Sequence, residues 1–205
     1  DLEHGSGSLA DLRNMLLACR GSTAAPIVRL RSVDTDSVKF VMDSGAAGVM
    51  FPFVSSAAEA EKAVAAMNYP PEGTRGVAGV IRATDYGRSW EAYFREANQH
   101  SLVVVQIETE EAVKAAEEIA AVPGVDVLSV NMGSPADFTP PHFVKALQHV
   151  VAASQKHGKT AGILSRPQHA SEHLAMGFRL FALGSDSGAI VSGLQQALAT
   201  ITAGA

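Results

Sequence analysis

An α/β fold of the (β/α)8 barrel type is predicted by three features of this chain. Strand-like and helix-like segments alternate from end to end, a pattern that implies a parallel sheet. The strand-like segments are nearly continuous apolar runs, as in Leu102-Val103-Val104-Val105-Gln106-Ile107, which suits strands covered on both faces. Polar, titratable residues stand where such strands end, in Asp1-Leu2-Glu3-His4 and again at Glu108. In barrels built from such strands the carboxyl ends carry the chemistry.

The elements follow in order. Leu9, Leu12, Leu16 and Leu17 recur at helical spacing, which predicts a helix from Leu9 to Cys19. Ala25–Leu30 is a strand. Thr35–Ser44 is a helix stopped at Gly45. Gly48–Phe51 is a strand, and the Ala/Glu/Lys-rich Ser56–Met67 is a helix ended by Tyr69-Pro70-Pro71. Gly73–Gly87, with Arg75 and Arg82, is a long loop of the kind that is usually functional. Ser89–Asn98 is a short helix, Leu102–Ile107 a strand and Glu110–Ala121 a helix. Val125–Leu128 is a strand. Phe143–His157, with apolar Phe143, Leu147, Val150 and Val151, is a helix closed by Gly158. Thr160–Leu164 is a strand, and Pro167–Met176 is a helix with proline at its start, where the missing N–H costs nothing. Leu180–Leu183 is a strand and Ser187–Thr200 the last helix.

Six strands are thus read, and Asp1–His4 reads as the tail of a seventh. A first strand upstream, absent from the chain, would complete the barrel. The chain opens on a motif without Met, and so reads as part of a longer one. The competing architecture is a doubly wound sheet. No Gly-x-Gly-x-x-Gly follows a strand and no Gly-x-x-x-x-Gly-Lys-Ser/Thr occurs, so the barrel is preferred. Residues 1–205 are read as one domain.

Composition narrows the function. The net charge is −5 and the 16 Lys and Arg residues are scattered, which argues against a nucleic-acid partner. No apolar run approaches the roughly 20 residues that span a bilayer. Cys19 is the only cysteine, which excludes an intrachain disulfide and is compatible with a cytoplasmic location.

The candidate residues lie at strand ends. His4 is either a surface histidine or a general base, the usual role of an imidazole near neutral pH. Asp43, before the helix stop, either orients that imidazole or faces solvent. Arg29 closes Ala25-Pro26-Ile27-Val28, where a planar guanidinium suits carboxylate or enolate binding. Neighbouring Arg31 suits a surface ion pair better. Glu108 has the hard oxygen ligand that Mg²⁺ or Mn²⁺ prefers, and a second carboxylate is needed. Glu110 and Glu111 begin a helix, where they favour its dipole. Asp126 is at the wrong end of its strand. Asp137, in Gly133-Ser134-Pro135-Ala136-Asp137, qualifies on residue type. No lysine sits within a strand or at its carboxyl end, so imine chemistry is not expected. His100, His142, His149, His157, His169 and His173 lack ligand spacing and are read as solvated.

Assembled, these residues resemble the HpcH/HpaI family of class II, metal-dependent pyruvate aldolases. The resemblance rests on Asp1-Leu2-Glu3-His4-Gly5, Ala25-Pro26-Ile27-Val28-Arg29-Leu30, Asp43-Ser44-Gly45-Ala46, Tyr69-Pro70-Pro71-Glu72-Gly73-Thr74-Arg75-Gly76, Val105-Gln106-Ile107-Glu108-Thr109, Gly162-Ile163-Leu164 and Gly184-Ser185-Asp186. It implies a (β/α)8 barrel, a homo-oligomer (a hexamer), and a divalent Mg²⁺, Mn²⁺ or Co²⁺ ion. It also implies cleavage or formation of 4-hydroxy-2-oxo acids, with pyruvate as enolate component and an aldehyde as its partner. His4 matches the catalytic base, Asp43 its dyad partner, Arg29 the enolate-stabilising arginine, Gln106 a substrate-binding glutamine and Glu108 a metal ligand. Two alternatives stand beside this reading: a related C–C lyase or synthase acting on citrate-type or CoA-linked acids, and a non-catalytic barrel.

The chain departs from the family pattern at one point. A second metal-ligating Asp is expected in a Gly-Pro-x-Asp-Leu stretch after the strand Val125–Leu128. Here Leu128 runs directly into Ser129-Val130-Asn131-Met132-Gly133. The expectation is that a short stretch is absent between Leu128 and Ser129, and that Asp137 is a later loop residue.

Overall fold

The computed structural model describes residues 1–132 and 138–203. Six strands, β1 (Ile27–Arg29), β2 (Gly48–Phe51), β3 (Leu102–Ile107), β4 (Val127–Val130), β5 (Thr160–Leu164) and β6 (Leu180–Ala182), form one sheet. Every neighbouring pair is parallel, and the order β1-β2-β3-β4-β5-β6 repeats the chain order. A doubly wound sheet reverses its strand order part-way. This sheet does not.

Nor is it the closed eight-stranded barrel that the sequence predicts. Barrel closure requires every strand edge to be paired, and here β1 and β6 remain edges of an open, curled sheet among the described residues. Asp1–His4, read as the tail of a strand, runs beside β1 with the Leu2 N–H on the Arg29 carbonyl at 2.9 Å but forms no strand. A single backbone bond is too short a ladder to make one.

The helices are α1 (Leu9–Ala18), α2 (Thr35–Asp43), α3 (Ala57–Met67), α4 (Trp90–His100), α5 (Glu110–Lys114), α6 (Ala116–Ala121), α7 (Pro141–Lys156), α8 (Ala170–Met176) and α9 (Asp186–Ala203). Side-chain caps set several starts: Ser8 with Asp11 for α1, Asp34 for α2, Ser56 for α3 and Thr109 for α5. Each satisfies an N–H that a helix start leaves unpaired. The single helix expected over Glu110–Ala121 is broken at Ala115 into α5 and α6. The long loop after α3 contains a short 3₁₀ turn, Arg82–Thr84, whose hydroxyl at Thr84 bonds the Gly79 carbonyl at 2.7 Å.

The core lies between the sheet and its helices. Val103–Ile107 of β3 are all buried, as are Val49 and Phe51 of β2 and Leu128 and Val130 of β4. Gly48 is required for this contact, because a Cβ there would stand 2.5 Å from the Leu102 carbonyl of β3. Helix α9 differs from the rest: Ile190, Val191, Leu194, Leu198 and Ile201 are each more than half exposed. No described helix is long and apolar enough to cross a membrane.

Strand β4 crosses the place where a short stretch is expected to be absent. It spans Val127–Val130, and Leu128 and Ser129 are consecutive rungs opposite Val105 and Gln106 of β3 and Ala161 and Gly162 of β5. Both ladders run without a break through Leu128 and Ser129. Asp137 lies outside the described residues.

Candidate active site

A cavity of about 780 Å³ opens at the carboxyl ends of the strands. Asp1, His4, Arg29, Gln106, Glu108, Ser129, Asn131 and Ser185 supply its polar lining, and Met50, Phe53, Leu164 and Ala182 an apolar one. Four of the five residues singled out from the sequence meet there: His4, Arg29, Gln106 and Glu108. The strands place them. Gln106 and Glu108 are two residues apart on β3 and its end, so both side chains leave the same face. Arg29 ends β1, and β2 lies between it and β3 through the register Arg29–Met50–Val104.

Arg29 is held on all sides. Its Nε donates to Asp1 Oδ1 at 3.0 Å and its Nη2 to Asp1 Oδ2 at 2.6 Å, the paired geometry that makes arginine–carboxylate contacts strong. Its Nη1 lies 3.1 Å from Glu3 Oε2, an ion pair whose angle is too poor for a hydrogen bond. Asp1 Oδ1 also accepts the backbone N–H groups of Glu3 and His4. Sequence reasoning missed Asp1 and Glu3 as partners. Their signal was available: three ionisable residues among the first four positions, ahead of a strand-end arginine.

The His4 ring is 74% exposed, with Nε2 3.7 Å from Glu3 Oε2, whose side chain is only 9% exposed. The carboxylate beside the imidazole is therefore Glu3. Asp43, the expected dyad partner, is engaged elsewhere: its Oδ1 accepts from Arg75 Nη2 at 2.8 Å, and no hydrogen bond or ion pair joins it to His4 among the described residues. Arg75 is fully buried, stacks over the Tyr69 ring at 4.4 Å and also reaches the Tyr93 hydroxyl. Arg31, expected in a surface ion pair, donates to the Leu2 carbonyl at 2.7 Å and ties the N-terminal segment down.

Glu108 is the most constrained carboxylate. Its Oε2 accepts the Phe53 backbone N–H at 2.8 Å and its Oε1 accepts Asn131 Nδ2 at 2.9 Å. Burial pushes its pKa up. The Phe53 N–H pulls the other way, and the negative charge of Glu3 adds to the rise. Phe53 reaches it from the left-handed region, φ 51°, a conformation that costs a non-glycine residue about 1 kcal/mol or more. Gln106 is 2% exposed and its Oε1 has no hydrogen-bond partner.

These features bear on a hard divalent cation. Asp1 and Glu108 line the cavity with the guanidinium of Arg29, and Glu3 pairs with that guanidinium from beside it. Glu108 and the orphaned Gln106 Oε1 are oxygen donors of the type Mg²⁺ and Mn²⁺ prefer, and such ions keep several waters and take few protein ligands. No group of three His, Cys, Asp or Glu side chains converges among the described residues. Among the described residues, Glu108 is the carboxylate that fits such an ion, with neutral oxygens, water and substrate beside it.

The sequence pattern of the HpcH/HpaI aldolase/citrate lyase family matches residues 1–192. The chain belongs to that family. It is 35% identical over 204 residues to the 5-keto-4-deoxy-D-glucarate aldolase of Shigella dysenteriae serotype 1 (strain Sd197), across 96% of this chain and 79% of that protein. Among solved structures, an HpcH/HpaI aldolase/citrate lyase family protein from Burkholderia cenocepacia J2315 superposes with a TM-score of 0.90 at 31% identity, over 98% of this chain and 83% of the other. The citrate synthase SbnG superposes at 0.82 with 28% identity, over 98% and 82%. The HpcH/HpaI chain described here is thus an enzyme, a lyase of the aldolase type.

Proposed function

We propose that this protein is a divalent-metal-dependent aldolase that cleaves or forms 4-hydroxy-2-oxo acids, with pyruvate as the enolate component and an aldehyde as the second. The observation that carries this reading is the convergence of Glu108, Gln106, Arg29 and His4 on one cavity at the strand ends. A divalent ion (Mg²⁺, Mn²⁺ or Co²⁺) supplies Lewis acidity that stabilises negative charge on the 2-oxo oxygen. Glu108 holds it. Gln106 Oε1, buried without a donor, pairs with a donor group in the loaded site.

Arg29 lines the cavity and is fixed in place by Asp1 and Glu3, so it offers its remaining N–H groups to the developing enolate with little reorganisation. His4 removes the C4-hydroxyl proton as the C3–C4 bond breaks, and Glu3 orients its ring. The aldehyde leaves and the enolate takes a proton at C3 to give pyruvate. The apolar face of α9 is consistent with a homo-oligomer, since exposed apolar rows of this kind mark association surfaces.

A second reading keeps the site and reverses the emphasis: condensation with a 2-oxo dicarboxylic acid as acceptor, favoured by the likeness to the citrate synthase SbnG. One experiment separates them from a barren site. Deuterium exchange into the pyruvate methyl group, followed by proton NMR with Mg²⁺ and then with chelator, reports enolate formation without any aldehyde. Metal-dependent exchange supports the aldolase. No exchange with pyruvate, together with citrate-type product from oxaloacetate, supports the synthase.

A further inference from the structure

Phe51-Pro52-Phe53-Val54 carries the chain out of β2, and Phe51, Pro52 and Val54 are buried. Phe53 between them is 60% exposed and lines the cavity. Its backbone stands at φ 51° and donates its N–H to Glu108 Oε2 at 2.8 Å. Glycine takes that conformation freely, whereas a Cβ makes it costly. The bond to Glu108 alone would therefore be served best by a glycine. A benzyl group stands there instead, with its apolar surface open to the cavity.

The rest of the lining shows what that surface faces. Met50 of β2 lines the cavity beside Phe53. Leu164 and Ala182, partners in the β5–β6 register, line it as well. In the sheet order, Gln106 of β3 and Glu108 at its end thus have apolar side chains to both sides, from β2 and from β5 and β6. Among the described residues Arg29 is the one arginine or lysine in the lining, and Asp1 and Glu3 already pair with it.

Resting on the aldolase reading above, we propose that Phe53 determines specificity for the aldehyde component. Its ring is the wall against which the aldehyde's chain packs, and the class it selects is aldehydes with an apolar, uncharged chain. Contact removes ring and chain from water together, and the gain grows with the apolar area covered. Pyruvate has one methyl group to offer such a wall, and its charged end suits Arg29. An aldehyde that carries a carboxylate of its own would meet Asp1 and Glu108 in the same lining.

The test compares kcat/KM of the full chain, with pyruvate and Mg²⁺, for acetaldehyde, propanal, butanal and pentanal, and for 4-oxobutanoate, a carboxylate-bearing aldehyde matched to pentanal in length. Wild type, F53A, F53G and F53L are measured. Ratios within one preparation are read, so a change in overall rate does not enter. In wild type kcat/KM should rise about two- to fourfold per added methylene, the worth of burying a CH₂ group, and pentanal should exceed 4-oxobutanoate. F53A and F53G should flatten the series, and F53L should keep most of it. Glycine relieves the left-handed backbone, so F53G should melt above F53A and stands in if F53A does not fold. A series as steep in F53A and F53G as in wild type overturns the proposal. So does a wild type that does not gain with chain length or that prefers 4-oxobutanoate. Metal-dependent deuterium exchange into pyruvate, measured alongside, leaves the aldolase reading intact in those cases. Its absence in wild type overturns both.

Discussion

The Glu108 carboxylate is gripped from two strands at once, by the Phe53 backbone N–H beyond β2 at 2.8 Å and by Asn131 beyond β4. The grip on Phe53 requires a left-handed backbone at a residue with a side chain. Strain of this kind persists only where the surroundings over-determine it, and here it aims an N–H at a carboxylate that burial disfavours.

Replacing that carboxylate should separate stability from activity. Glu108 has its pKa raised, first by burial, so its contribution favours folding below its ordinary range and weakens as pH rises and the charge must be carried. Glu108→Gln removes the charge and keeps the shape. The expected outcome is metal-dependent pyruvate exchange reduced to background, with urea stability at neutral pH equal to or above wild type. Full exchange in this variant would remove Glu108 from the metal site.

His4→Ala should split two steps. With the imidazole acting on the C4 hydroxyl as proposed, aldol cleavage should fall by about 10²–10⁴-fold, the usual worth of general acid–base catalysis, while the KM for pyruvate stays close to wild type. Parallel losses in both would make His4 a binding residue.

Asp43→Ala tests the role the structure gives that residue. It leaves the Arg75 guanidinium buried without its carboxylate, and breaking a pair of this kind costs about 3–5 kcal/mol. A clear fall in Tm is expected, with any activity loss tracking the unfolded fraction. A stable Asp43→Ala variant that lacks aldolase activity would restore Asp43 to the catalytic base.

His173, read from the sequence as solvated, is buried, with Nδ1 2.8 Å from Ser165 Oγ and Phe138 and Phe178 against its ring. Burial lowers its pKa below the ordinary 6.5; Glu172 opposes that and His169 adds to it. The unfolded chain then binds the proton more readily than the folded one. Stability is present above about pH 6.5 and is lost as the pH falls through the lowered folded value. Urea unfolding at neutral and mildly acidic pH should show this slope, and His173→Gln should flatten it.

Gly48→Ala should be costly although it adds one methyl group. The new Cβ meets β3 backbone at 2.5 Å and the Leu102 Cβ at 2.6 Å. Overpacking against backbone costs about 1–3 kcal/mol, to be read as a shift in the urea midpoint.

Much of this was legible in the chain itself. The β/α alternation and the approximate place of the six described strands followed from apolar runs and their polar ends, because local periodicity is set by which face must be buried. The strand-end rule also placed His4, Arg29, Gln106 and Glu108 on one side of the sheet. Family membership followed from short motifs in fixed order.

Sequence reading failed where the answer depended on contacts between distant segments. The β4 boundary moved from Val125–Leu128 to Val127–Val130 because the ladders with β3 and β5 decide it. The sheet stayed open because closure depends on strand pairing at both edges, which no local pattern encodes.

The partners of each ionic group were the least legible feature. Asp43 turned to Arg75, Glu3 to His4 and Arg29, and Asn131 to Glu108. Residue type and periodicity determined which polar side chains stand at the strand ends and so line the cavity. Only the tertiary structure decided which of them touch, because ion pairs and hydrogen bonds depend on distances of a few ångströms between segments far apart in the chain.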